Sequence, residues 1–294
     1  MTAFQKGTIA IFATYVMWGF FPLYWRLMES VDSMEILAQR MVWCFIFMLF
    51  VITAKRSRHG LADACRGLLR QRTRMLALFS AAIFISLNWL TFIWAVNHDH
   101  VVDCGIGYYI NPLVTIAFGV IFFRERLTPT KKLCIVLAAI GIFIMTVQTG
   151  TLPYIAPVLA FTFGAYGAVK KKLQMNPIHS IMLETAILAP IALLYSVYLI
   201  KGQVSTIDFD DVPLLFVIAG MGAVTTVPLM LFSYGANLLP LNVIGFLQYI
   251  SPTLQLLLGI FFFQEPFTVP QFAAMSFIWA ALLLFTLSES LRHR

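Results

Sequence analysis

The feature of this sequence that most limits its possible folds is a series of apolar runs, each about 20 residues long. At a rise of about 1.5 Å per residue, a helix of that length crosses the ~30 Å hydrocarbon core of a bilayer. Charged residues make up 11% of the chain and hydrophobic residues 60%, which leaves too little polar material for a water-facing surface. Residues 113–123 and 254–263 are apolar on every face, unlike the alternating strands of a membrane β-barrel.

The runs predict an all-α, multi-pass membrane protein with ten transmembrane helices. The ten predicted spans are residues 7–25, 35–54, 75–97, 102–123, 131–149, 152–169, 178–200, 212–236, 241–263 and 268–288. The first run is interpreted as a retained helix and not as a signal peptide. Trp18, Pro22 and Trp25 lie where a cleavage site would need small residues.

The distribution of charge predicts the orientation of the chain. Most of its 20 basic residues lie at the chain ends or in loops that the order of spans places on one side of the membrane. They are found at Lys6, in residues 55–74, 124–132 and 170–172, and at Arg292 and Arg294. Acidic residues such as Asp208 and Asp210 lie mostly on the other side. By the positive-inside rule, both termini are therefore cytoplasmic. The net charge of +7 is explained as a topology signal, and no nucleic-acid partner is expected.

The longest predicted cytoplasmic connection, residues 55–74, leaves two alternatives. Leu61, Cys65 and Leu68 recur at helical spacing, with Arg66 and Arg70 on another face, a pattern that favours a short interfacial helix on anionic lipid. The alternative is a solvated basic loop.

An internal repeat becomes visible when the chain is shifted by 140 positions. The residues that are identical to those 140 positions later are 97, 105, 109, 110, 112, 119, 122, 123, 125 and 128. Duplication explains this match better than the shared apolar composition does. The predicted repeats are residues 1–149 and 150–294. Because each holds five spans, an odd number, the second repeat would enter the membrane from the opposite side, as in many secondary transporters.

Several motifs also resemble those of a known family. They are Trp18-Gly19 with Pro22 and Tyr24; Glu35, Arg40 and Trp43; Asn88-Trp89 and the segment 94–97; the segments 107–113 and 124–127; and the segment 245–253. The chain resembles the RarD branch of the EamA transporters, within the drug/metabolite transporter superfamily. The resemblance covers nearly the whole chain. One departure is Phe163-Gly164 in the second half, where the first half has Trp18-Gly19.

The resemblance implies a ten-helix carrier of the bacterial inner membrane with a central cavity, usually an exporter of small metabolites or drugs. RarD proteins are commonly described as chloramphenicol-resistance permeases. The leading hypothesis is thus a secondary active transporter with a small-molecule substrate of amphipathic or aromatic character. A carrier or exchanger of amino acids or related metabolites is the alternative within the same fold. A membrane enzyme and a non-transporting partner of another membrane protein are alternatives of other classes.

Candidate lining residues cluster near two prolines, Pro112 and Pro252, which are expected to break helices at equivalent positions and to free backbone carbonyls. Aromatic, amide and hydroxyl groups at this depth suit an uncharged or zwitterionic ligand, although interhelical hydrogen bonding would also explain them. The predicted cavity residues are Tyr108, Tyr109, Asn111, Gln248, Tyr249 and Ser251, together with Trp18, Tyr24, Asn88 and Trp89.

Three of the charged residues inside predicted spans, Glu184, Arg40 and Glu35, are candidates for a function. An ionised carboxylate at the depth of Glu184 costs roughly 2.5–3.5 kcal/mol on insertion scales. Glu184 is therefore either a proton-coupling group or half of an ion pair with Lys170 or Lys171. Arg40 and Glu35 are five residues apart, about 140° around a helix axis, so they should not neutralise one another. Arg40 is expected to bind another helix or an anionic group of the substrate.

The polar segment around His98 and His100 could be misread as a metal site or a catalytic box. Asp99 and Asp103 complete it, but it lies in a short external loop without helical ligand spacing. We interpret it as an interfacial turn. With no nucleophile–base set, phosphate loop or metal motif in the sequence, no cofactor and no enzymatic activity are expected.

Overall fold

A computed structural model describes residues 1–98, 101–149, 155–262, 264 and 268–292, which are helical apart from short connections and contain no strand. The helices are α1 Ala3–Gly19, α2 Phe21–Trp25, α3 Ser33–Ala54, α4 Arg58–Arg70, α5 Arg72–Asn97, α6 Val101–Phe123, α7 Pro129–Thr149, α8 Ile155–Leu173, α9 Pro177–Lys201, α10 Val212–Leu238, α11 Leu241–Gln248, α12 Ile250–Phe261 and α13 Val269–Arg292.

These helices confirm the all-α, multi-pass architecture. Within the described ranges, eight helical spans are long and apolar enough to cross a membrane, and α1 with α2 forms a ninth, bent by 41°. One of the eight is Leu241–Phe261, which combines α11 and α12. The remaining predicted span is the helix α8, which ends in Lys170, Lys171 and Lys172 and so is less apolar. The total of ten spans stays a prediction.

Several helices begin at side-chain caps that the sequence supplies. Asp32, Asn176 and Asp211 precede α3, α9 and α10, and their side chains accept backbone N–H groups of the first turn at 2.9–3.2 Å. Such caps satisfy donors that have no partner within the helix. They fix where each helix starts, and hence the depth of every side chain that follows.

The expectation that both prolines break helices was wrong for Pro112. The helix α6 continues through Pro112 from Val101 to Phe123. In the second half the break falls at Tyr249, between α11 and α12, and Pro252 lies in the first turn of α12. A proline is tolerated there because first-turn N–H groups lack helical partners.

The two predicted halves are interleaved in the bundle. Helix α6 packs against α8 and α11, α3 against α9 and α10, and α1 against α10 and α12. The interior that results contains large, fully buried side chains such as Tyr15, Tyr166 and Phe232. Large apolar residues on the outside, such as Phe143 and Phe216, are exposed, as expected where lipid replaces water.

The segment between α3 and α5 forms a helix, so the alternative of a solvated loop was wrong. Helix α4 packs against α5 and α9. Leu68 is buried with Leu78, Leu173 and Met175, while Leu69 is 76% exposed. An exposed leucine beside basic residues is consistent with the predicted contact with lipid headgroups.

The orientation is open to a direct test. We expect a cysteine at His59 to react only from the cytoplasmic side and one at Asp208 only from the periplasmic side, since both positions are exposed. A membrane-impermeant maleimide applied to right-side-out and inverted vesicles measures this, with Cys65 replaced by serine. Labelling of both positions from the same side would contradict the inverted arrangement.

Candidate functional site

A cavity of about 190 Å³ lies where α1, α2, α3, α5, α6, α8, α10, α11 and α12 meet. Its walls combine aromatic rings with four amides, three hydroxyls and one guanidinium. The lining residues are Tyr15, Trp18, Phe21, Pro22, Trp25, Arg40, Ile85, Asn88, Trp89, Phe92, Tyr108, Asn111, Phe163, Leu229, Gln248, Ser251, Pro252 and Gln255. Apolar walls with a few placed polar groups are typical of small-molecule sites.

Most of the residues that the sequence nominated for a cavity lie in this one. Seven of them line it, namely Trp18, Asn88, Trp89, Tyr108, Asn111, Gln248 and Ser251. Tyr24, Tyr109 and Tyr249 do not. The hydroxyl of Tyr24 donates to the carbonyl of Val217, the hydroxyl of Tyr109 donates to the carbonyl of Pro252 at 3.2 Å, and Tyr249 is fully buried in the packed interior.

Tyr109 and Tyr249 lie outside the cavity because of the angle between neighbouring residues on a helix. Successive side chains point about 100° apart. Tyr108 faces the cavity and Tyr109 therefore faces α12, while Gln248 faces the cavity and Tyr249 the core. Adjacent residues therefore need not share the cavity, although some pairs, such as Asn88 and Trp89, both line it.

Sequence reasoning missed several lining residues that lie on the same helical stripes. The lining residues 15, 18, 22 and 25 are three or four positions apart. The sets 85, 88, 89, 92 and 248, 251, 252, 255 follow the helical pattern i, i+3, i+4, i+7. Extending each stripe from the nominated residues would have added Tyr15, Trp25, Phe92 and Gln255. Phe163 could have been found from Trp18, its counterpart in the predicted repeat, whose ring it meets edge-on at 5.5 Å.

The polar lining groups differ in how fully they are satisfied. Asn88 Nδ2 donates to the Leu159 carbonyl at 2.9 Å and to Thr162 Oγ1 at 3.0 Å. Gln255 Nε2 donates to the Trp18 carbonyl at 3.2 Å. Asn111 is 3% exposed, and its Oδ1 has no hydrogen-bond partner in the described part of the chain. A buried acceptor without a donor is costly in a folded protein.

Arg40 supplies the positive charge of the cavity wall. Its Nε donates to Thr225 Oγ1 at 3.0 Å. Its guanidinium carbon lies 4.1 Å from the centre of the Trp89 ring and 5.2 Å from that of Trp25. Among the described residues, no carboxylate lies within ion-pair distance of it. Glu35 instead accepts hydrogen bonds from Ser205 Oγ and from the backbone N–H and the hydroxyl of Thr206, at 2.6–2.9 Å.

Glu184 lies outside the large cavity and forms a buried ion pair. Lys170 Nζ is 2.5 Å from its Oε1. Ser180 Oγ donates to the same oxygen at 2.7 Å, and the Tyr166 hydroxyl donates to Oε2 at 3.2 Å. A small void between Glu184 and Trp89 is also lined by Ile85 and Leu229, which both line the large cavity. The pair is therefore one layer of side chains away from the cavity.

Arg40 and Glu184 occupy equivalent positions in α3 and α9. Each is eight residues after an Asx N-cap, Asp32 or Asn176, which is about 12 Å along a helix. With the predicted topology, Arg40 lies that far from the periplasmic end of its helix and Glu184 equally far from the cytoplasmic end of its own. The two halves thus place opposite charges at matching depths.

A second charged cluster joins the halves on the predicted cytoplasmic side. Glu125 Oε1 accepts from the backbone N–H of Leu241 at 2.7 Å, and Oε2 accepts from the N–H and the Nδ2 of Asn242 at 2.8 and 2.6 Å. Lys171 Nζ lies 3.7 Å from Oε1. Glu125 therefore caps α11 from the end of α6. Its repeat partner Glu265 lies outside the described residues.

The polar loop after α5 falls mostly outside the described residues, including Asp99, His100 and the side chain of Asp103. The ring of His98 stacks on Trp94 with centroids 4.3 Å apart, and its Nδ1 is 2.8 Å from the Trp94 carbonyl. In the portion of the chain that is described, no three His, Cys, Asp or Glu side chains could hold a metal ion.

Comparison with known proteins identifies the class. The sequence profile of the EamA-like transporter family matches residues 5–147 and 154–287. This chain therefore belongs to the EamA-like transporter family of the drug/metabolite transporter superfamily, and it is a multi-pass transporter of the bacterial inner membrane. The predicted family resemblance is thus confirmed.

Two curated relatives align with nearly the whole chain. The uncharacterized transporter YojE of Bacillus subtilis (strain 168) is 41% identical over 285 residues, 97% of this chain and 95% of that one. Protein RarD of Escherichia coli (strain K12) is 36% identical over 290 residues, 99% and 97% of the two chains. A solved crystal structure with 15% identity has the same fold, with a TM-score of 0.74 over 96% of this chain and 97% of that one.

Proposed function

We propose that this chain is a secondary active transporter that exports small organic molecules by alternating access through the central cavity. The observation that carries the proposal is the cavity itself, which lies where helices of both predicted repeats meet and has aromatic walls with few polar groups. Substrate sites near the bilayer midplane between inverted repeats are a recurrent feature of secondary transporters. Family membership supports transport over a membrane enzyme or a non-transporting partner.

The two repeats, residues 1–149 and 150–294, would exchange conformations to move the cavity opening from one side to the other. Two features support an outward-facing state in this structure. Phe21, Pro22 and Trp25, at the predicted periplasmic end of the first span, line the cavity. On the opposite side, Glu125 ties α6 to the start of α11. Opening toward the cytoplasm requires this contact to break.

The size of the cavity favours a small metabolite. Its volume of about 190 Å³ is below the roughly 300–1,000 Å³ of pockets that hold drug-sized ligands. This observation favours the candidate function of a carrier or exchanger for amino-acid-sized metabolites over a chloramphenicol-type drug permease.

Transport is proposed to be coupled to protons through Glu184. Carboxylates inside transporter bundles commonly serve as proton relays, and Glu184 is held by Lys170 close to the cavity. Glu184 and Trp89 line the same small void, and this closeness to the cavity wall supports the proposed role. The ion pair also ties α8 to α9, so a test of coupling has to control for stability.

The proposal predicts an unusual outcome for Asn111. Because Asn111 Oδ1 is buried without a partner, replacing Asn111 with leucine should keep or raise thermal stability and yet lower transport at least ~10-fold, as expected when a ligand loses a hydrogen bond. The measurement is efflux from proteoliposomes with a metabolite panel, alongside thermal denaturation in detergent.

Asn237 provides the matched control. Its Oδ1 also lacks a partner among the described residues, but its Nδ2 donates to the Met175 carbonyl at 2.9 Å outside the cavity. Asn237→Leu should lower stability and leave transport per folded molecule unchanged. Normal transport by Asn111→Leu would remove the cavity from the mechanism.

A further inference from the structure

Arg40 has no carboxylate partner among the residues that the structure describes, and this carries an inference about the substrate, which rests on the proposed function. We propose that the substrate bears a carboxylate or similar monoanionic group that binds the Arg40 guanidinium, with a flat apolar body against the aromatic wall. The expected ligands are small aromatic or unsaturated monocarboxylates. Neutral and cationic analogues of the same shape are expected to bind more weakly.

The first argument compares Arg40 with three glutamates inside the bundle. Glu184 is paired with Lys170, Glu35 accepts three hydrogen bonds, and Glu125 accepts three and lies beside a lysine. Charged side chains inside membranes are generally paired or face a water-filled cavity. In the described ranges, only a neutral hydroxyl accepts from the Arg40 guanidinium. The balancing negative charge would then arrive with the ligand.

The second argument is the geometry of the guanidinium. Nε donates to Thr225 Oγ1 at 3.0 Å, and the guanidinium carbon lies 4.1 and 5.2 Å from the centres of the Trp89 and Trp25 rings, which confine the group. The terminal N–H groups donate to no other described residue. A planar fork with its orientation fixed is the arrangement that binds a carboxylate through two parallel hydrogen bonds.

The third argument concerns the rest of the cavity. Trp18 and Phe163 meet edge-on at 5.5 Å and present flat apolar surface. Ile85, Leu229 and Phe92 extend that surface. A ligand with a charged end and a planar apolar body satisfies both kinds of wall, whereas a polar ligand such as a sugar would leave its hydroxyls against aromatic rings.

Purified full-length protein in detergent tests the inference by isothermal titration calorimetry. The probes are phenylacetate, phenylacetamide and phenethylamine, which keep the ring and change the charge. We expect phenylacetate to bind roughly 10- to 100-fold more tightly than the amide, the effect of a charge-assisted hydrogen bond. Arg40→Gln should lower the affinity for phenylacetate to that for the amide, and the affinity for the amide should not change. Arg40→Lys should retain part of the preference for phenylacetate.

Arg66 is the matched control, since it lies on α4 in an exposed ion pair with Asp63. Arg66→Gln removes the same charge from the protein and should leave the preference intact. The inference is overturned if wild-type protein fails to bind phenylacetate, binds the three probes equally, or prefers the amine. It is also overturned if Arg40→Gln weakens all three probes alike, which is the result expected of a purely structural arginine.

Failure of this inference is distinguishable from failure of the proposed function. A neutral or cationic compound that is transported in a manner that depends on Asn111 would leave the transporter proposal standing and remove the role of Arg40. In the opposite case, phenylacetate binds preferentially but the cavity residues never become accessible from the cytoplasmic side. That result would support the anion site and reject alternating access.

Discussion

Glu184→Leu is expected to prevent most of the protein from reaching a folded state, and the double change Glu184→Leu with Lys170→Met is expected to restore folding. Lys170 is 2% exposed and its Nζ contacts Glu184 and Ser180 at 2.5 Å. Removing one partner of a buried ion pair costs about 3–5 kcal/mol, whereas replacing both with apolar residues is often neutral. Fluorescence-detected size exclusion and thermal denaturation measure the difference.

The restored double variant then separates packing from coupling. If Glu184 carries the coupling proton, this variant and Glu184→Gln should lose proton-driven accumulation and retain exchange of substrate for substrate in proteoliposomes. The exposed pair Arg66 with Asp63 is the control, because removing it should change neither stability nor coupling appreciably. Normal proton-driven accumulation by a folded double variant would assign the pair to packing alone.

The second large effect is expected at Glu125. Glu125→Ala removes the acceptors for two backbone N–H groups and one amide at the start of α11. Losing a helix cap costs about 0.5–2 kcal/mol, enough to shift a two-state equilibrium by about 2- to 30-fold. We expect this shift to favour the inward-open state, seen as faster labelling of a cysteine at Ser251 from the cytoplasmic side.

Asp211 is the matched control for Glu125. It caps α10 by accepting from the Leu214 N–H at 3.0 Å, at the opposite end of the bundle in the predicted topology. Asp211→Ala should lower thermal stability by a similar amount without faster labelling from the cytoplasmic side. Equal labelling rates for both variants would mean that Glu125 is a cap and has no gating role.

The span pattern was predictable because it depends on composition over long windows. A 20-residue apolar run has few alternatives in a chain with so little charge. The break within the ninth span was placed near Pro252 and falls at Tyr249. Pro112 shows why proline alone does not locate a break, since α6 absorbs it without interruption.

The candidate site was predictable only in part because it is assembled from many helices. Sequence places Tyr108 and Tyr109 side by side, but the rotation of α6 in the bundle decides which one faces the cavity. That rotation depends on packing against α8 and α11. Likewise, the sequence offered Lys170 and Lys171 as partners of Glu184, and only tertiary structure directs Lys170 to Glu184 and Lys171 to Glu125.

The most direct test of alternating access is the accessibility of one cavity residue from both sides of the membrane. Ser251 lines the cavity, and cysteine differs from serine by one atom. The test uses a variant in which the four native cysteines are replaced. We expect Ser251→Cys to react with an impermeant thiol reagent from the periplasmic side and, when transport is active, from the cytoplasmic side as well. A variant that retains only Cys134, which is buried outside the cavity, should not react from either side. Reaction of Ser251→Cys from one side alone under all conditions would contradict alternating access through this cavity.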